Sequence, residues 1–166
     1  MKLISLILLV WSFHHEEAKC RVNFSIYNAG FRVTGTVDSV RAIIHFDPSH
    51  LSESYIEARV NPSTINTGIG IRDKHLKRKD YFDVETYPLI NLKSTRFKKV
   101  DRNKFMGDFE LTIKGITRSV PITFMITMDN GHPRYKGTFS LKRLDFNLGE
   151  ESMVLENNVV VEVSTD

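Results

Sequence analysis

The chain has 166 residues, 41% of them hydrophobic and 26% charged, which excludes a disordered or fibrous protein and suffices for one domain with its own core. A net charge of +3 and a pI of about 9.0 suit an anionic surface weakly, and no Lys/Arg stripe carries the interleaved aromatics of a nucleic-acid stacking platform. Cys20 is the only cysteine, so an internal disulfide and a cysteine-rich zinc site are excluded.

Lys2 precedes an apolar run from Leu3 to Phe13, which His14-His15-Glu16-Glu17 ends. A charged start followed by about a dozen apolar residues fits an export signal over residues 1–19 and is too short to span a bilayer. Lys19 is not the small residue that would precede a lipid-bearing cysteine, so Cys20 reads as an incidental thiol. Residues 20–166 then read as a single domain, expected to be soluble once exported.

Val22, Phe24 and Ile26 alternate with Asn23, Ser25 and Tyr27, the period of a strand with one apolar face. Asn28-Ala29-Gly30 turns the chain into Phe31, Val33, Gly35 and Val37. A third strand over Ala42, Ile44 and Phe46 stops at Asp47-Pro48, and a fourth over Ile56, Ala58 and Val60 stops at Asn61-Pro62. Residues 67–88 break the alternation. Ile71, His75, Leu76 and Lys79 fall at helical spacing among Arg and Lys, predicting one short basic helix over about 71–80, with Pro88 closing the stretch. Alternation resumes from Ile90 and Leu92 to about Phe97, then over 105–114, 120–128, 135–141 and 159–163. Asp129-Asn130-Gly131-His132-Pro133 is the strongest turn signal in the chain.

Eight or nine short strands with sustained alternation predict an all-β fold, a sandwich or a closed antiparallel barrel. The length of the strands over 104–113 and 119–128 favours the barrel, because closure removes edges that would otherwise stand open. An eight-stranded barrel is either filled by its own side chains or holds one small ligand. Alternation is the same in both cases.

Signals for chemistry are weak. There is no G-x-S-x-G elbow. Thr67-Gly68-Ile69-Gly70 lacks the Lys-Ser/Thr of a phosphate loop. The six histidines never recur one helical turn apart, although His45 and His50 could meet across a turn. Glu150-Glu151 beside Gly149 reads as a solvated corner. No catalytic residue, metal ligand or nucleic-acid partner is assigned.

Six stretches together resemble the YceI family: Asn28 to Gly35; Ile44-His45-Phe46-Asp47-Pro48; Thr67-Gly68 with Arg72-Asp73-Lys74-His75-Leu76; Asp80-Tyr81-Phe82-Asp83 with Tyr87-Pro88; Lys93-Ser94-Thr95; and Gly107 to Thr117. The likeness covers about residues 22–163. Its R-D-x-H-L and D-x-F-D-x-x-x-Y-P pieces, in this order, are the specific part, and Arg78 and Leu144 depart from the family pattern. The resemblance implies an exported bacterial protein, periplasmic or extracellular, with a lipocalin-like barrel. Its apolar channel would hold a polyisoprenoid, a quinone-like lipid or another long amphiphile as ligand, without a cofactor and without catalysis. On that implication the channel residues are Phe24, Ile26, Val33, Ile56, Ala58, Ile90, Leu92, Phe109, Leu111, Val120, Ile122, Phe124, Phe139, Val159 and Val161. Arg72, His75 and Arg78 would face the head group at the mouth. Transient contact with a membrane surface and a dimer are left open. The competing expectation from the residues alone is a solid-cored β-domain acting through its surface.

Overall fold

Nine antiparallel strands run through residues 17–165, which are those the computed structural model describes: β1 (Glu17–Asn28), β2 (Phe31–His45), β3 (Tyr55–Val60), β4 (Ile65–Asn66), β5 (Ile90–Asp101), β6 (Lys104–Ile113), β7 (Ile116–Asp129), β8 (His132–Lys142) and β9 (Asn158–Thr165). Their hydrogen-bonded order is β1-β9-β8-β7-β6-β5-β3-β2, and β2 pairs back onto β1. Eight strands therefore close into a barrel, and β4 is a two-residue addition on the flank of β2. The stretch assigned to an export signal, 1–19, lies outside the described residues except at its end, where Glu17, Ala18 and Lys19 open β1 opposite Ile43, Ala42 and Arg41.

Two details differ from the alternation pattern. The strands expected over 31–37 and 42–46 are one strand, β2, and Asp38-Ser39 form a bulge rather than a turn. Cys20 pairs with Val40 while Val22 pairs with Val37, so β2 carries the extra residue. The bulge turns the strand without breaking it, which returns Val37 and Val40 to the same apolar face. β4 escaped notice because two residues, Ile65 and Asn66, carry no period.

Register places the apolar alternation on one face throughout. Phe24 lies opposite Gly35 and Val161, and Phe139 also opposes Val161. Ala58 lies between Ala42 and Leu92, and Leu92 opposes Leu111. Phe109 faces Val120, and Phe124 lies between Phe105 and Gly137.

Most of the buried apolar residues fall into two clusters, with Val37, Ile65 and Val161 outside both. One gathers Phe97, Phe105, Phe109, Leu111, Ile113, Val120, Ile122 and Phe124 from β5, β6 and β7. The other gathers Cys20, Val40 and Ala42 across β1 and β2, on the far wall of the closed sheet. At the end carrying the β5–β6 and β7–β8 turns, Phe46 from the β2–β3 loop closes the bore. Its ring stands edge-on to Phe97, Phe105 and Phe124 at centroid distances of 5.1, 5.0 and 5.3 Å, each contact adding about 0.5–1.5 kcal/mol beyond buried area.

Gly35 is required by packing. A Cβ there would stand 2.3 Å from Cζ of Phe24 and 2.9 Å from the backbone oxygen of Asn66. The ring can swing, but the carbonyl is held by the β2–β4 pairing. Gly35→Ala should lower stability by about 1–3 kcal/mol, read as an earlier urea midpoint with an unchanged slope. An unchanged midpoint would show that Phe24 is freer than its position implies.

Candidate functional site

Residues 67–89 bridge from β4 to β5 across the other end of the barrel. Their helix, α1, spans Gly70–Leu76, shorter than the 71–80 expected. After Leu76 the hydrogen bonds leave the helical spacing: the Arg78 amide donates to His75 O, Phe82 to Leu76 O and Val84 to Lys77 O. These wider turns carry Tyr81 and Phe82 onto the larger core cluster, which a continued helix would not do. Seven residues with none buried form no stable helix alone, so these tertiary ties hold it.

The start of the segment is braced by side chains. Asp73 accepts from both the amide (2.9 Å) and the hydroxyl (2.5 Å) of Thr67, and Arg72 donates to Thr67 Oγ1 at 2.7 Å and to its carbonyl at 2.9 Å. The Thr67 hydroxyl bond, ahead of the Thr67 amide and the nearby Arg72 and Lys77, holds the Asp73 carboxyl below its ordinary value. A lowered carboxyl stabilises above its unfolded value and loses that contribution as pH falls through the lowered one. Acidification, or Asp73→Asn at neutral pH, should therefore lower amide protection factors over 66–76, taken against the intrinsic rate at the same pH, while the barrel strands stay protected. Equal protection in the variant would show that the brace is redundant.

The end of the segment is pinned to the β8–β9 connection. Gly149 N donates to Asp80 O at 2.7 Å, and Lys114 Nζ donates to Lys79 O at 2.6 Å and Asn147 O at 3.1 Å. Gly149 has φ +70°, and a Cβ on it would fall 2.8 Å from Cζ of Tyr81. Arg143, in the one-turn helix Arg143–Phe146 that follows β8, is 3% exposed. Its guanidinium donates to the carbonyls of Glu156 (3.0 Å), Leu148 (2.9 Å) and Leu155 (3.3 Å). That side chain gathers the 147–157 loop, which the backbone also ties to the β1–β2 hairpin through Ala29 N to Val154 O at 2.7 Å and Glu156 N to Tyr27 O at 2.9 Å.

The residues expected at the mouth are thus mostly engaged within the protein. Arg72 is taken up by Thr67. His75 Nε2 lies 2.9 Å from Asp80 Oδ2, with its ring edge-on to Tyr81. Arg78 is exposed, and its guanidinium makes no hydrogen bond or ion pair among the described residues. A groove of about 530 Å³ opens beside Thr67, where β4 leaves β2. Asn23, Ser25, Thr34, Thr36 and Asn66 line it with polar groups, Phe24 reaches it, and Arg32 crosses it to donate to Ser25 Oγ at 3.2 Å. This groove was not foreseen, because its polar residues occupy the outward positions of three different chain segments.

The residues expected to line a channel all lie on the inward register and divide into three groups. Phe109, Leu111, Val120, Ile122, Phe124 and Val161 are buried. Ile56, Ile90, Leu92 and Phe139 are half-buried against the larger cluster, and Ala58 against the smaller. Phe24, Ile26, Val33 and Val159 are half-buried and belong to neither cluster. Sequence reasoning missed Tyr81 and Phe82 as inward residues, since each lies in a loop where period has no meaning; Phe46, read as the end of a strand but not as a channel residue, lies just past the end of β2. Their presence in the quoted motifs was the available signal.

The histidine pair considered for a metal is engaged separately. His45 stacks on Tyr55 at 5.4 Å, and His50 Nδ1 bonds Asp47 Oδ2 at 2.8 Å. That bond raises the His50 imidazole and lowers the Asp47 carboxyl, as expected of a surface pair. Among the described residues no group of three or more His, Cys, Asp and Glu is placed to hold a metal. No helix there is long and apolar enough to cross a membrane.

Comparison with known proteins agrees with this geometry. A UPF0312 protein of Photorhabdus laumondii is 29% identical over 133 residues, covering 76% of this chain and 69% of the relative. The crystal structure of BcnA from Burkholderia cenocepacia superposes with a TM-score of 0.84 at 20% identity, over 88% of this chain and 94% of that one. A polyisoprenoid-binding domain from Saccharophagus degradans, implicated in plant cell wall breakdown, superposes at 0.68 with 13% identity, over 89% and 93%. The YceI-like domain model matches residues 11–166, and with the closed barrel and the motif-bearing 67–88 segment in place, the chain belongs to the YceI-like domain family.

Proposed function

We propose that this protein is a non-catalytic carrier that holds a long-chain isoprenoid, or a similar amphiphile, between the two apolar walls of its barrel. The observation that supports this is the divided core. A filled eight-stranded barrel gathers its inward side chains into one contiguous cluster. Here the two clusters meet through half-buried residues paired across strands, Ala58 with Leu92 and Ile44 with Ile56, and Phe24, Ile26, Val33 and Val159 face inward while keeping part of their surface. Membership of the YceI-like family, together with a likeness in fold to a polyisoprenoid-binding domain, supports an isoprenoid as the class of guest. The 67–89 segment then acts as a side wall. The polar head belongs at that end, where Arg78 is unengaged and the groove beside Thr67 offers amides and hydroxyls.

Energetics favour carriage over tight capture. Each isoprene unit gains around 4 kcal/mol on leaving water, at ~0.8 kcal/mol per buried CH₂. A long tail would exceed any attainable affinity if water were its alternative. Its real alternative is a bilayer, as apolar as the barrel wall, so transfer is close to neutral and reversible. An exported protein, as residues 1–19 predict, would meet such lipids at the membrane surface.

Organic extraction of the purified protein followed by mass spectrometry should release a long-chain lipid in stoichiometric amount. Stripping it should lower the melting temperature, because a guest at about 100 times its Kd adds roughly 2.7 kcal/mol. Protein that repeatedly yields no lipid, and takes none up, would leave the solid-cored surface module as the better account.

A further inference from the structure

We propose that the end of the barrel carrying the β5–β6 and β7–β8 turns docks on an anionic bilayer surface. The two turns are neighbours: Lys104 pairs with Met125, and Ile126 N donates to Asn103 O at 3.0 Å. Three apolar side chains stand out from them, Val100 at 50%, Met125 at 51% and Met128 at 68% exposed. Register sets Met125 between Lys104 on β6 and Lys136 on β8, and puts Lys98 in the adjacent row opposite Met106.

Charge distinguishes this end from the helix end. Across 98–104 and 125–136, Lys98, Lys99, Arg102, Lys104, Arg134 and Lys136 stand against only Asp101 and Asp129. Asp129 is held by Arg134 at 3.2 Å, and Asp101 accepts the Arg102 amide at 2.7 Å. The β2–β3 loop at the same end adds Asp47, bonded to His50, and Glu53, which still leaves a basic surplus. Across 67–88 five basic residues meet four acids, Asp73, Asp80, Asp83 and Glu85. The basic helix that draws attention in the sequence is therefore close to neutral as a surface.

Methionine and valine interleaved with lysine match the boundary between head groups and acyl chains. There, ammonium groups reach phosphate while their stems and the apolar tips enter the bilayer. A protein partner selects aromatic and arginine anchors around a pocket and disfavours lysine. The docking surface is separate from the guest reading and stands whether or not the bore holds a lipid.

The test is co-sedimentation of the full chain with phosphatidylcholine vesicles, with and without phosphatidylglycerol. Binding is expected only with the anionic lipid, weakening as salt screens the lysines. Combined Lys98→Gln, Lys104→Gln and Lys136→Gln should weaken it roughly a hundredfold, at about fivefold per basic residue removed. Met128→Ser should weaken it several-fold, and both variants should keep the wild-type melting curve and any extracted lipid. Wild-type protein that ignores anionic vesicles, or a triple variant that binds them unchanged, overturns the proposal. So does wild-type protein captured by polyglutamate but not by vesicles, which assigns the patch to an acidic polypeptide. Wild-type protein that yields its lipid but does not dock on anionic vesicles overturns this inference and leaves the guest reading standing.

Discussion

Arg143→Met is expected to lower the stability of the barrel by about 3 kcal/mol. The methionine keeps the apolar stem but removes the donors that satisfy the carbonyls of Leu148, Leu155 and Glu156. A hydrogen bond from a charged group contributes about 1.5–3 kcal/mol. Relief from burying the guanidinium offsets part of the summed loss, which gives the net figure. For a chain of this size about 2–4 °C accompanies each kcal/mol, so the melting temperature should fall by roughly 6–12 °C. Arg143→Lys should recover only part, because one ammonium cannot reach three carbonyls in the fork geometry. The damage should begin locally, as faster amide exchange over 147–157. A melting curve within about a degree of wild type would mean that this loop is closed by its backbone contacts alone.

Ala58→Trp separates the carrier from the solid-cored alternative. Ala58 faces inward between Ala42 and Leu92 and is half-buried. If the space between the two clusters holds a guest, an indole enters it with little strain and competes for the same volume. The expected result is a folded barrel whose extracted lipid drops more than tenfold. In a filled core the same substitution overpacks and destabilises by about 1–3 kcal/mol or more, and the wild type yields no lipid to lose. Val159→Trp, on β9 and outside both clusters, repeats the test from another wall. Lipid retained at the wild-type level in both folded variants would place the guest elsewhere.

The Gly149 contact shows why the helix end is assembled from distant parts of the chain. Tyr81 lies within the 67–89 segment, Gly149 in the β8–β9 connection and Lys114 in the β6–β7 turn, yet hydrogen bonds and one ring contact unite them. Gly149→Ala should combine backbone strain at φ +70° with a clash against Tyr81. Release of Tyr81 should then appear as altered tyrosine fluorescence before any loss of strand content.

Much of the architecture was legible from residue order alone. Period-two alternation located the long strands, and their apolar positions share one face because a strand turns its side chains to alternate sides whatever it packs against. The motifs around Arg72–Leu76 and Asp80–Pro88 carried the family and marked the segment that holds the α-helix. What residue order does not encode is the company each side chain keeps. Phe109 in a packed wall and Phe24 outside both clusters have the same alternation. Arg72 and His75, expected to face a head group, are engaged instead by Thr67 and Asp80. Nothing in the local sequence marks Arg143 as buried, yet three carbonyls close on its guanidinium. Periodicity is local, set by the geometry of one strand, whereas a divided core, an engaged charge and a basic end arise only when strands far apart in the chain are brought into register.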